Sequence, residues 1–357
     1  MIDVDGHNYP NIPLMKISAW HKAQGHQVEW YDPMFSGHMD KVYMSKVFSF
    51  TPDFIYPIDA DEIIKGGSGY CISFVDGKEV YDKSKDTNLP HEIEHIYPDY
   101  SLYQREEIEL DEETGDRITR IVGETVDTAY GFLTRGCPRG CDFFHVEAKE
   151  GRRSYKVADL SEFWNGQKNI VLCDPNILAC KEWKDLLQQL IESKAWVDFN
   201  QGLDIRLMTE EKAEMLKHIK LKNIHFAWDR YQDIDMILPK FKMFKEITKI
   251  DYRKLGVYVL CNFDTTIDQD LERIYALRTL GYSPYVMLYN KDGFVECDAN
   301  GKPMRLKPIS QLLKKYTPQQ IEHFKTCWAI QGWVNNRIIF AKCETFTEYT
   351  RARGLMI

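Results

Sequence analysis

Thr134-Arg-Gly-Cys137-Pro-Arg-Gly-Cys141-Asp-Phe-Phe144-His145 is the stretch on which the fold of this chain is read. Two thiols stand four residues apart, and Pro138 and Gly140 turn the chain between them. The spacing Cys-x3-Cys-x2-Cys after a strand lets three thiolates of one tight loop hold three irons of a four-iron cluster, leaving the fourth iron open. Position 144, where the third thiolate would stand, is Phe. Upstream, Ala129-Tyr-Gly-Phe-Leu-Thr134 is an apolar and aromatic run of strand character that feeds the loop.

The chain behind this loop is long enough, at 357 residues with 44% hydrophobic content, to bury a large core in two domains. No run of eighteen apolar residues occurs, and Met1-Ile-Asp-Val-Asp-Gly carries acids where a signal peptide needs basic and apolar residues. A cytoplasmic protein with no membrane partner is therefore expected. Nine cysteines, an odd number without a ladder of even spacings, predict reduced thiols and not a disulfide scaffold. The formal charge of −8 argues against nucleic acid as a partner, since a phosphate backbone wants a clustered cationic surface.

Outward from the loop the pattern alternates. Strands are expected at Tyr130–Thr134, Asn169–Cys173, Trp196–Gln201, Asn223–Trp228, Lys254–Cys261 and Pro284–Tyr289, with helices near Leu160–Trp164, Glu182–Lys194, Thr209–His218, Ile234–Ile247 and Ile267–Leu280. Helices that follow strands in this order imply parallel βα units. The stretch 126–300 holds six of them and is shorter than the roughly 250 residues of a closed eight-stranded barrel. In front of it, a helix is expected over Pro13–Gln24 and stopped by Gly25. Strands are expected at His26–Asp32, within Lys41–Phe50, and from Glu62 into the turn of Gly66, Gly67 and Gly69. Those glycines serve either a turn with positive φ or close approach to a nucleotide or corrin tail. The acidic stretch Glu106–Asp116 reads as a solvated hairpin tip. Pro308–Tyr316 and Pro318–Phe340 read as helices, the second with an apolar stripe of Phe324, Trp328, Ile330, Trp333 and Phe340 among interleaved lysines. Such interleaving can bind a nucleic acid strand; a helix packing its aromatics on the core is the commoner outcome.

In parallel α/β folds reactive groups gather at the carboxyl ends of strands. Here those positions hold Asp174 and Asn176, then Gln201, Asp204 and Arg206, then Asp229 and Arg230, then Asn262 and Thr265, and last Tyr289 and Asn290. Each alone can serve as a helix cap, as Asp174-Pro175 and Asp264-Thr-Thr266 suggest; as a set they form a ring of possible ligand contacts.

Thr-Arg-Gly-Cys137-Pro-Arg-Gly-Cys141-Asp-Phe-x-His145-Val, with the strand ends Leu-Cys-Asp174-Pro-Asn176, Asn-Gln-Gly-Leu-Asp-Ile-Arg206, Phe-Ala-Trp-Asp229 and Leu-Cys-Asn262, resembles the core of radical S-adenosylmethionine (SAM) proteins. The resemblance implies a partial (β/α)6 TIM-like barrel over 126–300, preceded by a small Rossmann-like α/β domain over 1–100 and a linker hairpin over 101–125, and followed by a helical extension over 301–357. It implies a 4Fe-4S cluster with Cys137 and Cys141 as ligands, SAM held on the open iron and cleaved to a 5′-deoxyadenosyl radical, and an electron donor such as flavodoxin or ferredoxin. By the same analogy Asp174 and Asn176 lie near the amino group of SAM, Arg206 and Asp229 near its carboxylate or ribose, and Phe143 near adenine; Asn262 belongs to the same ring. The N-terminal domain resembles in part the cobalamin-binding kind. Asp5-Gly-His7-Asn-Tyr-Pro10 matches the first two residues of the Asp-x-His-x-x-Gly signature but not its glycine.

Phe144 has no donor atom. His145 and Cys173 are the neighbouring side chains that can stand in for the missing thiolate, and a zinc site on Cys137 and Cys141 needs two further ligands that no local spacing supplies. The expected function is accordingly radical SAM-type chemistry on an unknown substrate. The alternative is a non-catalytic descendant of the fold that binds a small molecule or a protein without a cluster.

Overall fold

Stretches with alternating apolar residues become strands, and those with apolar residues three and four apart become the helices between them. The structure, a computed structural model, describes residues 1–6, 9–75, 78–110, 117–141, 145–297 and 303–354. It divides the chain into two compact units, Met1–Asp198 and Phe199–Ile357.

The first unit opens with β1 (Ile2–Asp3), α1 (Ile12–Ala23), β2 (Met39–Ser45) and β3 (Ala60–Gly66), a parallel sheet in the order β1-β2-β3. Asn11 caps α1 by accepting the Leu14 N–H at 3.2 Å, and Ile2, Val42 and Met44 form its apolar centre. The expected strand over His26–Asp32 does not form: after Gly25 the chain runs irregularly, tied by Met1 N–H3⁺ to Glu29 O, Tyr31 N–H to Met1 O and Trp30 Nε1–H to Leu102 O. Gly67, at φ +98°, turns the chain after β3 as expected. A side chain there would meet Lys46 O at 2.2 Å, so the close approach is to the chain's own strand. Then come α2 (Ser68–Cys71), the hairpin of β4 (Ile72–Val75) and β5 (Lys78–Tyr81), α3 (His91–Glu94), and a second hairpin of β6 (Arg105–Leu110) and β7 (Arg117–Val122). Most of the acidic tip expected at 106–116 lies outside the described residues.

The remaining strands of this unit are β8 (Thr128–Gly131), the short β9 (Thr134–Arg135) and β10 (Tyr155–Lys156), and β11 (Asn169–Leu172), with α4 (Val146–Glu150) and α5 (Trp183–Ser193) between or after them. The expected helix at Leu160–Trp164 is a single 3-10 turn over Leu160–Glu162. The unit boundary falls inside β12 (Trp196–Leu203).

The second unit continues with α6 (Glu210–His218), β13 (Leu221–Ala227), α7 (Ile234–Thr248), β14 (Leu255–Cys261), α8 (Ile267–Thr279) and β15 (Ser283–Leu288). Six strands form one sheet in the order β15-β14-β13-β12-β11-β8, and all six were legible in the sequence within a few residues. The pairings β8 with β11, β13 with β14 and β14 with β15 are parallel. Ile224, Phe226, Val257, Val259 and Val286 are fully buried, with Phe226 in edge contact with Phe241 and Phe244 of α7. Next follow α9 (Lys291–Phe294), the hairpin of β16 (Val295–Cys297) and β17 (Pro303–Leu306), α10 (Ile309–Leu312), α11 (Pro318–Val334), α12 (Arg337–Lys342) and α13 (Phe346–Arg353). The helix expected over Pro318–Phe340 breaks at Asn335-Asn336. Phe324, Ile330 and Trp333 are buried as a packed stripe, the commoner of the two outcomes.

Both edges of the six-stranded sheet are closed by side chains. On β8, Tyr100 Oη accepts the Tyr130 N–H at 3.1 Å and donates to Phe163 O at 2.6 Å. On β15, Asn335 accepts the Val286 N–H at 2.8 Å and donates to Val286 O at 3.0 Å, a side-chain amide in the place of a neighbouring strand. No helix among the described residues is long and apolar enough to cross a membrane.

Candidate functional site

The cysteine loop leaves β8 and is closed at its base by β9 on β10, with Arg135 opposite Tyr155 and Thr134 opposite Lys156. Gly136 sits at φ +76°, and a Cβ there would lie 2.1 Å from Arg153 O, so the residue before Cys137 has to be glycine. Its N–H goes to Glu150 Oε2 at 2.8 Å, and Arg135 Nη1 meets Glu150 Oε1 at 3.0 Å while its guanidinium stacks 3.4 Å over Phe132. The Cys137 N–H reaches Gly151 O at 3.3 Å.

Asp174, just past β11, is buried and both its oxygens hold the entry to this loop. One accepts the Thr134 N–H at 2.5 Å and the Thr134 hydroxyl at 2.6 Å, the other the Leu133 N–H at 3.2 Å. Burial pushes its carboxyl up to about 6, against the pull of those donors. Asn176 is 2% exposed; its Nδ2 donates to Cys137 Sγ at 3.4 Å and Ser154 Oγ donates to its carbonyl at 2.9 Å. Its Oδ1 is buried with no hydrogen-bond partner, an acceptor beside a cysteine sulfur. The first unit thus brings Cys137, Asp174 and Asn176 together, with Cys141 half-buried further along the loop.

Phe143 and Phe144, and likewise His7, lie outside the described residues. The two substitutes weighed for the missing ligand are both described. His145 precedes α4 with its ring stacked 6.3 Å from Tyr81. Cys173 is buried, 3.3 Å from Tyr9 Oη, and burial pushes its thiol up to about 11. Among the described residues no group of three or more His, Cys, Asp or Glu side chains is placed to hold a metal ion. The loop supplies two cysteines and, at the third position, a phenylalanine without a donor atom, one ligand short of a three-cysteine cluster site. A small cavity lined by Ile12, Lys16, Glu94, Tyr130, Phe132 and Glu162 has room for about 10 Å³, the space of one water.

The second unit gathers Arg206, Asp229 and Asn262 at the carboxyl ends of β12, β13 and β14. Arg206 is clamped by Asp204 at 2.7 Å and Asp233 at 2.9 Å. Burial pushes the Asp229 carboxyl up to about 6, against the pull of Arg273 and Arg206. Asn262 takes φ +64° and donates to Tyr289 O at 2.9 Å, joining the ends of β14 and β15. Sequence reasoning missed Arg273. This fully buried residue of α8 donates to Trp228 O, Leu260 O and Asp229 O and pairs with Asp270 at 2.5 Å. The signal was available: Asp270 and Arg273 stand three apart on the same helical face as Ile274 and Leu277.

Searches against protein-family models and against curated proteins find no match for the chain.

Proposed function

We propose that this is a radical SAM-type protein whose cysteine loop and the chain just past β11 form a SAM site, and whose cluster site is one thiolate short because Phe144 stands at the third position. The six-stranded sheet is, in this reading, an open (β/α)6 half-barrel. The observation that carries the proposal is Asn176: buried at the end of β11, it donates to Cys137 Sγ and keeps Oδ1 without a partner. That oxygen accepts an N–H, and the ammonium at the methionine end of SAM is such a donor. The Asp174 and Glu150 anchors fix the loop backbone before any ligand arrives. Cys137 and Cys141 would hold such a cluster, and a complete, reduced one would supply the electron for reductive cleavage of SAM.

Anaerobic reconstitution with iron and sulfide, run beside Phe144→Cys, tests the reading through visible charge-transfer absorbance and release of 5′-deoxyadenosine from SAM. Turnover by Phe144→Cys alone is expected. Turnover by both would identify a substitute ligand, and silence from both would overturn radical chemistry. Phe144 itself favours a second reading, a descendant of the fold that binds SAM without a cluster. Calorimetric titration of the metal-free protein with SAM addresses it, with Asn176→Leu expected to weaken binding about tenfold.

A further inference from the structure

The β6–β7 ribbon exposes an apolar face that the rest of the first unit does not cover. Strand alternation puts Glu106 and Ile108 of β6 on the same side as Arg117, Thr119 and Ile121 of β7, with Glu106 opposite Ile121 and Ile108 opposite Thr119. Ile108 is 66% exposed and Ile121 58%. The other face mixes ion pairs with apolar positions: there Arg105 meets Glu107 at 2.7 Å and Arg120 meets Glu109 at 3.2 Å, with the half-buried Val122 opposite Arg105 and position 118 opposite Glu109. A two-stranded ribbon is marginal in water unless one face is packed.

From these observations we propose that the Ile108–Ile121 face is a docking surface for a second copy of this chain, the two ribbons stacked face to face and antiparallel. The charges at its ends select that partner and that direction. Glu106 lies at the root of the ribbon and Arg117 at its tip, on the same face. A twofold pairing needs a surface complementary to itself. Stacking the ribbons antiparallel brings Arg117 of each copy to the end that carries Glu106 of the other, one strand spacing of about 5 Å to the side and within reach of an arginine. Parallel stacking would set Glu106 beside Glu106. Six-residue strands offer a face of only about 20 by 10 Å, well under the roughly 800 Å² per partner of a standard interface, so the dimer is weak and dissociates on dilution.

Sedimentation equilibrium of the whole protein over a wide dilution range, at low salt, tests the proposal. Average mass should rise with concentration from 42.0 kDa toward twice that value. Ile108→Lys with Ile121→Lys should hold the protein at the monomer mass throughout, with an unchanged far-ultraviolet circular dichroism spectrum. Glu106→Lys alone should weaken association about tenfold, since two equivalent pairs are lost, and adding Arg117→Glu should restore it. A wild type that stays monomeric at every concentration overturns the proposal. So does a dimer indifferent to the isoleucine changes, or a charge reversal that the second reversal does not rescue.

Discussion

Asp174 shows how one buried carboxylate positions a loop. Its carboxylate is filled by Leu133 and Thr134, so Asp174→Ala would leave two buried N–H groups without an acceptor. A loss of about 3 kcal/mol in urea unfolding is expected, with faster amide exchange at Thr134. Gly136→Ala meets a different obstacle, a positive φ and Arg153 O in the space of the new methyl, and should cost at least about 2 kcal/mol by the same measurement. Asp229 carries a pH signature. Burial lifts its folded pKa to about 6, above the ordinary range of an aspartate, so the folded state binds the proton more tightly. Its contribution to stability is present in full below the unfolded pKa and is lost as pH rises toward 6. The difference in unfolding free energy between wild type and Asp229→Asn should therefore move against wild type between pH 4 and pH 6 and then level off. A difference constant in pH would contradict the assignment.

Among elements, the sheet edges are the least expected feature. Tyr100 and Asn335 each occupy the hydrogen-bonding groups of one residue of an outer strand, Tyr130 and Val286, which works against the addition of a further strand there. Asn335→Leu should destabilise by about 1–3 kcal/mol in chemical denaturation, because the Val286 N–H loses its acceptor and the Val286 carbonyl loses a donor. The same residue explains the broken helix. Periodicity alone continues from Pro318 to Phe340, yet Asn335 turns to β15 and Asn336 caps α12 by accepting the Ile339 N–H at 3.1 Å. The absent strand at His26–Asp32 has a comparable cause. Alternation is present there, but a strand needs a ladder, and the segment is tied instead to Met1, before β1, by Tyr31 N–H to Met1 O and Met1 N–H3⁺ to Glu29 O.

At the scale of the molecule, the eight cysteine side chains among the described residues sort by burial. Cys137, Cys141 and Cys343 are half-buried, whereas Cys71, Cys173, Cys180, Cys261 and Cys327 are buried. Burial also raises the thiols of Cys173 and Cys180 to about 11, and those of Cys261 and Cys327 well above the ordinary range. Iodoacetamide labelling of the native protein, read by peptide mass spectrometry, should modify Cys137, Cys141 and Cys343 first. Early modification of Cys173 or Cys261 would contradict this packing.

The sequence by itself determined the order and approximate bounds of the six sheet strands, the glycine turns and the position of the cysteine loop. Periodicity and turn chemistry are local, and each of these features is written within a dozen residues. Only the tertiary structure decided that Asp174 serves a backbone forty residues away, that Asn176 lies against Cys137, that Arg273 ties the ends of two strands from inside the core, and that Asn335 closes a strand forty-nine residues earlier. Each of these depends on a polar group finding its partner after the chain has packed, and no pattern along the sequence specifies which distant carbonyl or N–H that partner will be.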